Sequence, residues 1–418
     1  MTSPADGTPI TAEEIEAQKH IPARALYATY MVGLTTTALV IMMKVIVPLW
    51  AVDLGMSPSA IGLAMGAGGL IPFILSIHGG TMMDRLGTRR ITLIFAVLGA
   101  ATMFLYPMLP WVVALFMLQL VSGYTNNVSW MGAQALIVQF GRGNTGLIAK
   151  FSFATRIGTV SGPIVIGAIW DVVGAWGAFM FCGLIGLGVV VCTYMVPARL
   201  TDADFVDNPP PIRMSDLVPR FRDYVQAFAM MAIPAVAFVV AVTFLRIASS
   251  SMQGSFYVVY LQGIGYTGTL IGVLLAMSEG GGMFGSFIAK PMEKLMAPHW
   301  VLLIFIALSL FFIAVTPYLG GIFVLLLIAS SFRGSAQGLA QPVMFAVLSR
   351  AVSRKEQGMS IGLRTTSNRL ATMIVPTMMG YIVEWTSIED SFWIMGALLI
   401  GGCAVIALIL RRIPGFKT

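Results

Sequence analysis

Six basic side chains stand inside long apolar runs of this 418-residue chain: Lys44, Arg156, Arg246, Arg333, Arg364 and Arg369. A single acid, Glu279, shares that setting. The stretch 38–50, ALVIMMKVIVPLW, shows the problem, since Lys44 is its one charge among bulky apolar neighbours. An ionised group in such surroundings costs several kcal/mol unless it finds a counter-charge or a wet cavity. Glu279 can neutralise one cation, and the others need a different anion or water. A guanidinium grips a carboxylate or phosphate through two parallel hydrogen bonds, whereas an ammonium acts as a point charge. A hollow with surplus positive charge concentrates anions and repels cations. The chemistry expected is therefore reversible binding of a small organic anion. Lys44, Arg246 and Arg369 are the leading contacts, with Arg156 and Arg333 as further candidates. For each the alternative is a structural role, held by backbone carbonyls. Arg364 lies close enough to a span end to reach lipid headgroups. Glu279 is either an arginine's salt-bridge partner or a proton carrier, and a coupled protein can use both roles in turn.

Polar residues in the same runs fill out a candidate pocket: Asn126, Asn127, Gln337 and Gln341, with Tyr124 and Tyr257 for the apolar or aromatic part of a ligand. Such groups also serve to hydrogen-bond helices together.

The elements that position these residues follow from composition. The chain is 57% hydrophobic and 10% charged, with a mean hydropathy of +0.87. It lacks the polar surface to live in water, and apolar runs long enough to cross a hydrocarbon core of about 30 Å recur along it. Twelve helical spans are expected, at 26–52, 58–82, 91–108, 111–138, 147–170, 177–196, 228–261, 268–289, 299–317, 320–348, 359–383 and 392–410. Lys44 lies nine residues before Asp53, roughly 13 Å from that span end at 1.5 Å per residue, too deep for easy snorkelling. Of the 25 Lys and Arg, all but the six above fall in the tails, in the even-numbered loops or, for Lys150, at the cytoplasmic edge of span five. That bias predicts both termini on the cytoplasmic side of a bacterial-type inner membrane, and it explains the net charge of +7 without any nucleic acid. The first 25 residues are polar and do not resemble a cleaved signal peptide; TAEE at 11–14 fits a capping box. The three cysteines are expected to be packing residues.

The two halves repeat. TRIGTVSGPIVIG (155–167) aligns without gaps on NRLATMIVPTMMG (368–380), and Asp171 and Glu384 follow at the same offset. DLGMSPSAIG (53–62) matches GIGYTGTLIG (263–272), and MDRL (83–86) matches MEKL (292–295). Three matches in one order indicate a six-plus-six repeat, which places a ligand site between halves near the bilayer midplane. The expected organisation is a tail (1–25), a six-helix bundle (26–196), a linker (197–227) broken by Pro209, Pro210 and Pro211 with a surface helix near 214–226, a second bundle (228–410), and a short tail (411–418).

The stretch 80–90, GTMMDRLGTRR, resembles the loop signature of the major facilitator superfamily, and PLWAVDLGMS (48–57) is similar to the end of that family's first span. The resemblance covers the whole chain. It implies an all-α integral membrane transporter of twelve helices in two six-helix pseudo-repeat bundles, working by alternating access, usually as a monomer. It also implies a central cavity lined by spans one, four, seven and ten, with two, five, eight and eleven beside them. In the family, Gly80, Asp84, Arg85, Gly87, Arg89 and Arg90 would form a charged latch between the halves; the alternative is plain positive anchoring. Gly158, Gly162, Pro163 and Gly167 resemble the glycine–proline motif of family exporters, with helix packing as the alternative. Drug–proton exporters usually carry an arginine four residues before a span-four glycine. Here that residue is Gln119, before Gly123.

The expected function is secondary transport of a small carboxylate-type anion, with protons as candidate coupling ions and the lipid bilayer as the other partner. The alternatives are a proton-coupled exporter of drugs or amphipathic metabolites, and a non-transporting sensor or scaffold of the same fold. Two motifs are accidental. GIGYTG (263–268) has no strand before it, and NVS (127–129) falls inside a span. No catalytic residue, metal site or cofactor is expected, because the three histidines are far apart and no HExxH or phosphate loop occurs.

Overall fold

The computed structural model describes residues 22–141, 145–198, 225, 228–351 and 357–412. Among them the chain is helical, with no strand. The first half holds α1 (Ala23–Asp53), α2 (Pro58–Leu86), α3 (Thr88–Met108) and α4 (Val112–Gly141). A helical stretch Thr145–Met195 then breaks at Gly174, whose φ of 71° is left-handed, giving α5 (145–173) and α6 (175–195). The second half holds α7 (Pro234–Gly263), α8 (Gly268–Leu295), α9 (Pro298–Ala314), α10 (Phe323–Ala351), α11 (Gln357–Trp385) and α12 (Ile388–Arg412). Each coincides with one expected span to within about six residues at either end. The segment of the capping box, and the surface helix expected near 214–226 except for Val225, lie outside the described residues.

Eight helical stretches, counting α5 and α6 as one, are apolar and long enough to cross a membrane. The helices α4 and α11, which carry Asn126 and Asn127, and Arg364, Asn368 and Arg369, are not among them, and α9 is apolar but shorter. Large apolar side chains such as Phe153, Val172 and Phe287 are exposed, as helices facing lipid require.

The repeat extends to individual hydrogen bonds. After α1, Gly55 N–H donates to the Val52 carbonyl (2.8 Å) and Met56 N–H to Ala51 (3.2 Å). After α7, Gly265 N–H donates to Gln262 (3.0 Å) and Tyr266 N–H to Leu261 (3.0 Å). Gly55 and Gly265 both take positive φ, 64° and 90°, which a glycine adopts without the strain other residues meet. The Ser57 hydroxyl then caps α2 by accepting from Ala60 N–H, and the Thr267 hydroxyl caps α8 by accepting from Leu270 N–H.

The halves meet chiefly through two helix pairs, α2 with α11 and α5 with α8, with a smaller contact of α1 on α7. At Gly62 the α2 backbone lies against the Pro376 carbonyl of α11, and at Gly272 the α8 backbone lies against the Pro163 carbonyl of α5. These contacts involve residues that the internal repeat had placed in register: Gly62 with Gly272, and Pro163 with Pro376. A side chain on either glycine would collide with main chain of the other half. Gly167 against Gly268, and Gly380 against Pro58, continue the same seams. All four contacts lie toward the end of the bundle that carries Asp53, so the halves are closed together there.

Candidate functional site

A cavity of about 350 Å³ opens between the halves, past the Gly62 and Gly272 seams. Its walls come from α1 (Thr37, Val40, Ile41, Met43, Lys44), α2 (Met65, Gly68), α4 (Gln119, Gly123, Asn126, Asn127, Trp130) and α5 (Thr159). The second half supplies Ile247, Ser250, Ser251 and Gly254 of α7, and Asn368, Arg369, Thr372 and Pro376 of α11. Two lining residues are cations, one from each half, and no lining residue is an acid. Thr159 and Thr372, at equivalent repeat positions, both line this space, one from each half. The remaining wall is largely apolar, as small-molecule sites usually are.

Lys44 reaches the cavity from the middle of α1. Its aliphatic stem passes Gly254 of α7, where an added Cβ would meet the lysine Cδ at 3.2 Å. Gly254 lies in a π-helical turn, Gln253–Tyr257, that interrupts α7. Such turns recur at functional sites because they displace side chains from regular helical register. Lys44 has no hydrogen bond or ion pair to another described residue. Across the cavity the Arg369 guanidinium donates through Nη2 to the Asn127 side-chain oxygen, a bond that joins α11 to α4. Asn127 in turn donates to the Ser76 hydroxyl at 3.3 Å. The Arg369 Nε remains buried without an acceptor.

The other basic residues have different surroundings. Arg156 of α5 and Glu279 of α8 form an ion pair at 3.8 Å, each about one-third exposed, linking the two halves. Arg333 is 2% exposed and donates to the Ser278 hydroxyl at 2.7 Å, within the tight α8–α10 contact where Gly334 and Gly338 press on the α8 backbone. Arg364 lies over the Phe345 ring, 4.5 Å from its centroid, and at 9% exposure is drawn into protein rather than toward a span end. Arg246 has a buried Nε with no acceptor and does not line the cavity.

Of the remaining candidates, Asn126 and Asn127 line the cavity, whereas Gln337, Gln341, Tyr124 and Tyr257 do not. The Tyr257 hydroxyl pairs with Ser330 of α10 at 3.1 Å. Tyr124 packs edge-on against Phe95, and Gln341 is exposed. Gly254, Asn368, Thr159 and Thr372 were not singled out in sequence. Gly254 had a signal, since it ends the polar run SSSMQG inside a span; Thr159 and Thr372 had another in their shared repeat position. Gln119, at the place where drug–proton exporters usually have arginine, lines the cavity and accepts from the Tyr106 hydroxyl at 2.8 Å.

The segment 80–90 spans the break between α2 and α3. Gly87 makes the turn with φ 93°. Arg89 donates to the Tyr194 carbonyl at 2.9 Å and lies over the Tyr194 ring, contacts made within the first half. Of the glycine–proline motif, Gly158 and Gly162 pack on α1, while Pro163 and Gly167 form the seam with α8.

Comparison with known proteins agrees with this architecture. The Major Facilitator Superfamily profile matches residues 27–242 and again 239–417. Among solved structures, the nucleoside transporter NupG is similar at TM-score 0.74 and 13% identity, covering 93% of this chain and 99% of its own. A POT family transporter in complex with 5-aminolevulinic acid gives 0.70 and 14%, with 94% and 97% covered. A bacterial homolog of the human lysosomal transporter Spinster, inward-facing and occupied, gives 0.68 and 14%, with 94% and 97% covered. Among curated proteins none matches the chain in sequence. Twelve helices in two repeating halves, a cavity between them and a family profile matched along nearly the whole length lead to one conclusion: this chain belongs to the Major Facilitator Superfamily of membrane transporters.

Proposed function

We propose that the chain is a secondary transporter that moves a small carboxylate-type organic anion by alternating access. The observation that carries this reading is the cavity wall, where Lys44 and Arg369 enter from opposite halves with no acid between them. A guest bound to both cations would hold the halves together, and its release would let them rock apart. The Asp53 end, where the seams are closed, is taken as the outer side, because the lysines and arginines flanking the spans gather at the other end. This orientation puts both termini in the cytoplasm of a bacterial-type inner membrane and makes the described state closed to the outside. The segment 80–90 then lies on the cytoplasmic rim, where Asp84, Arg85, Arg89 and Arg90 are suited to latch the halves in the opposite state.

Coupling to protons is the second element of the proposal. The Arg156–Glu279 pair crosses between halves, so a proton on Glu279 would remove an attraction that holds them together. The protein is proposed to work as a monomer, since one chain supplies both halves of the site.

The test is uptake of labelled carboxylates into proteoliposomes by wild type, Lys44→Gln and Arg369→Gln, with thermal stabilisation by the same compounds read in parallel. Each substitution is expected to cut uptake about tenfold or more, the equivalent of roughly 1.4 kcal/mol of lost interaction. Undiminished uptake by both variants would overturn the proposal.

A further inference from the structure

Resting on that reading, we infer that the cargo is a dianion with two separate acidic groups, a dicarboxylate, rather than a monocarboxylate. The argument is a charge count at the cavity wall. Glu279 is ion-paired with Arg156 and lines no part of the cavity; its charge acts on Lys44 only from a distance, and it forms no ion pair with Lys44 or Arg369. Lys44 has no hydrogen bond or ion pair to a described residue, and the one described side-chain partner of Arg369 is the neutral oxygen of Asn127. Closing the cavity around a single carboxylate would leave one of the two cations without a counter-charge in a water-poor space, which is costly. Closing it around two carboxylates leaves the occluded site neutral.

The two cations also stand on separate helices, so each can meet an acidic group of its own. Lys44 is on α1 and Arg369 on α11, helices of different halves. Each cation offers donors suited to its own carboxylate: the Lys44 ammonium as a point charge, and the Arg369 guanidinium with its Nε still unpartnered. Apolar side chains, Ile41, Met43, Met65 and Ile247, are suited to the carbon chain between them.

The experiment compares matched pairs, succinate with butyrate and glutarate with pentanoate, for thermal stabilisation of the purified protein and for uptake into proteoliposomes. Glycerol 3-phosphate serves as a single-headed dianion. In wild type the dicarboxylate of at least one pair is expected to win by about tenfold or more over both its monocarboxylate and glycerol 3-phosphate. Lys44→Met, which keeps an unbranched stem against Gly254 and removes the charge, should abolish that discrimination or reverse it. Lys44→Arg should retain it, separating loss of charge from loss of fold. Wild type that prefers the monocarboxylates, or that ranks glycerol 3-phosphate first, overturns the dicarboxylate inference while the anion reading stands. A Lys44→Met protein that keeps the wild-type preference also overturns it. No response to any of these anions, with stabilisation by neutral or cationic solutes, overturns both readings together.

Discussion

The Asp171 carboxylate, at the end of α5, accepts hydrogen bonds from the backbone N–H and the hydroxyl of Thr269, at 2.8 and 2.6 Å, in the first turn of α8. The Gly268 N–H donates to the same carboxylate at 2.7 Å. An acid of one half thus caps a helix of the other, satisfying amide groups that a helix start leaves unpaired. The repeat partner of Asp171 is Glu384, which is exposed; α2 and α8 each carry their own hydroxyl cap, from Ser57 and Thr267, and α8 alone adds an acid of the other half among the described residues. The two seams match in their glycine–proline contacts and differ in this bond.

Asp171→Asn should therefore loosen closure on the Asp53 side. Caps of this kind contribute about 0.5–2 kcal/mol, or roughly two- to thirty-fold in the ratio of closed to open states. The measurement is labelling of Thr372→Cys, in a background lacking the three native cysteines, by a membrane-impermeant thiol reagent added outside. Faster labelling with Asp171→Asn is expected, and an unchanged rate would count against the cap as a closure element.

Gly272→Leu and Gly62→Leu should each prevent this closure, because the new side chain meets a backbone carbonyl of the other half that has no room to retreat. The variants are expected to insert and fold, since each half keeps its own packing, but to transport at less than about a tenth of the wild-type rate. Gly280→Leu is the control: nothing lies within 4 Å of an added Cβ there. Equal transport by all three variants would show that the seams do not need to close.

Glu279→Gln removes the charge that faces Arg156. With Glu279 as the proton carrier, an imposed proton gradient accelerates uptake by wild type and has no effect on Glu279→Gln. Exchange of substrate across the membrane without a gradient should persist in the variant. A gradient response of undiminished size in Glu279→Gln would leave the pair with a purely structural role.

Arg333→Gln is expected to lower the thermal stability of the second half without changing substrate affinity. Its guanidinium bonds Ser278 inside the α8–α10 contact, and a buried charge-assisted bond contributes about 1.5–3 kcal/mol. Calorimetric or fluorescence melting, set beside a binding isotherm, separates the two effects. A weakened isotherm with unchanged melting would reverse this assignment.

The twelve helices were legible because length and apolar composition alone decide what crosses a bilayer, and main-chain hydrogen bonds leave no alternative to helix there. The internal repeat was legible for a related reason. Gly55 and Gly265, Ser57 and Thr267, Pro163 and Pro376 are local turn, cap and bend chemistry, and that chemistry is written in single residues. Depth was legible as well, since each residue adds 1.5 Å along a helix, so Lys44 and Arg333 could both be placed far from the span ends.

Which way each deep cation points was not. Azimuth around a helix means nothing until its neighbours are fixed, and in a chain apolar on nearly every face the hydrophobic pattern gives little guide to them. Lys44 and Arg369 reach the shared cavity, while Arg333 meets Ser278 and Arg364, expected near a span end, meets Phe345, although all four are lone charges in greasy runs. One acid among six cations could be counted from the sequence, but its choice of Arg156 required α5 and α8 to lie side by side. The linear chain determined the fold, the repeat and the excess of positive charge. Only the packing of the two halves decided which of those charges a guest can meet, because contact between helices far apart in sequence is set by three-dimensional fit.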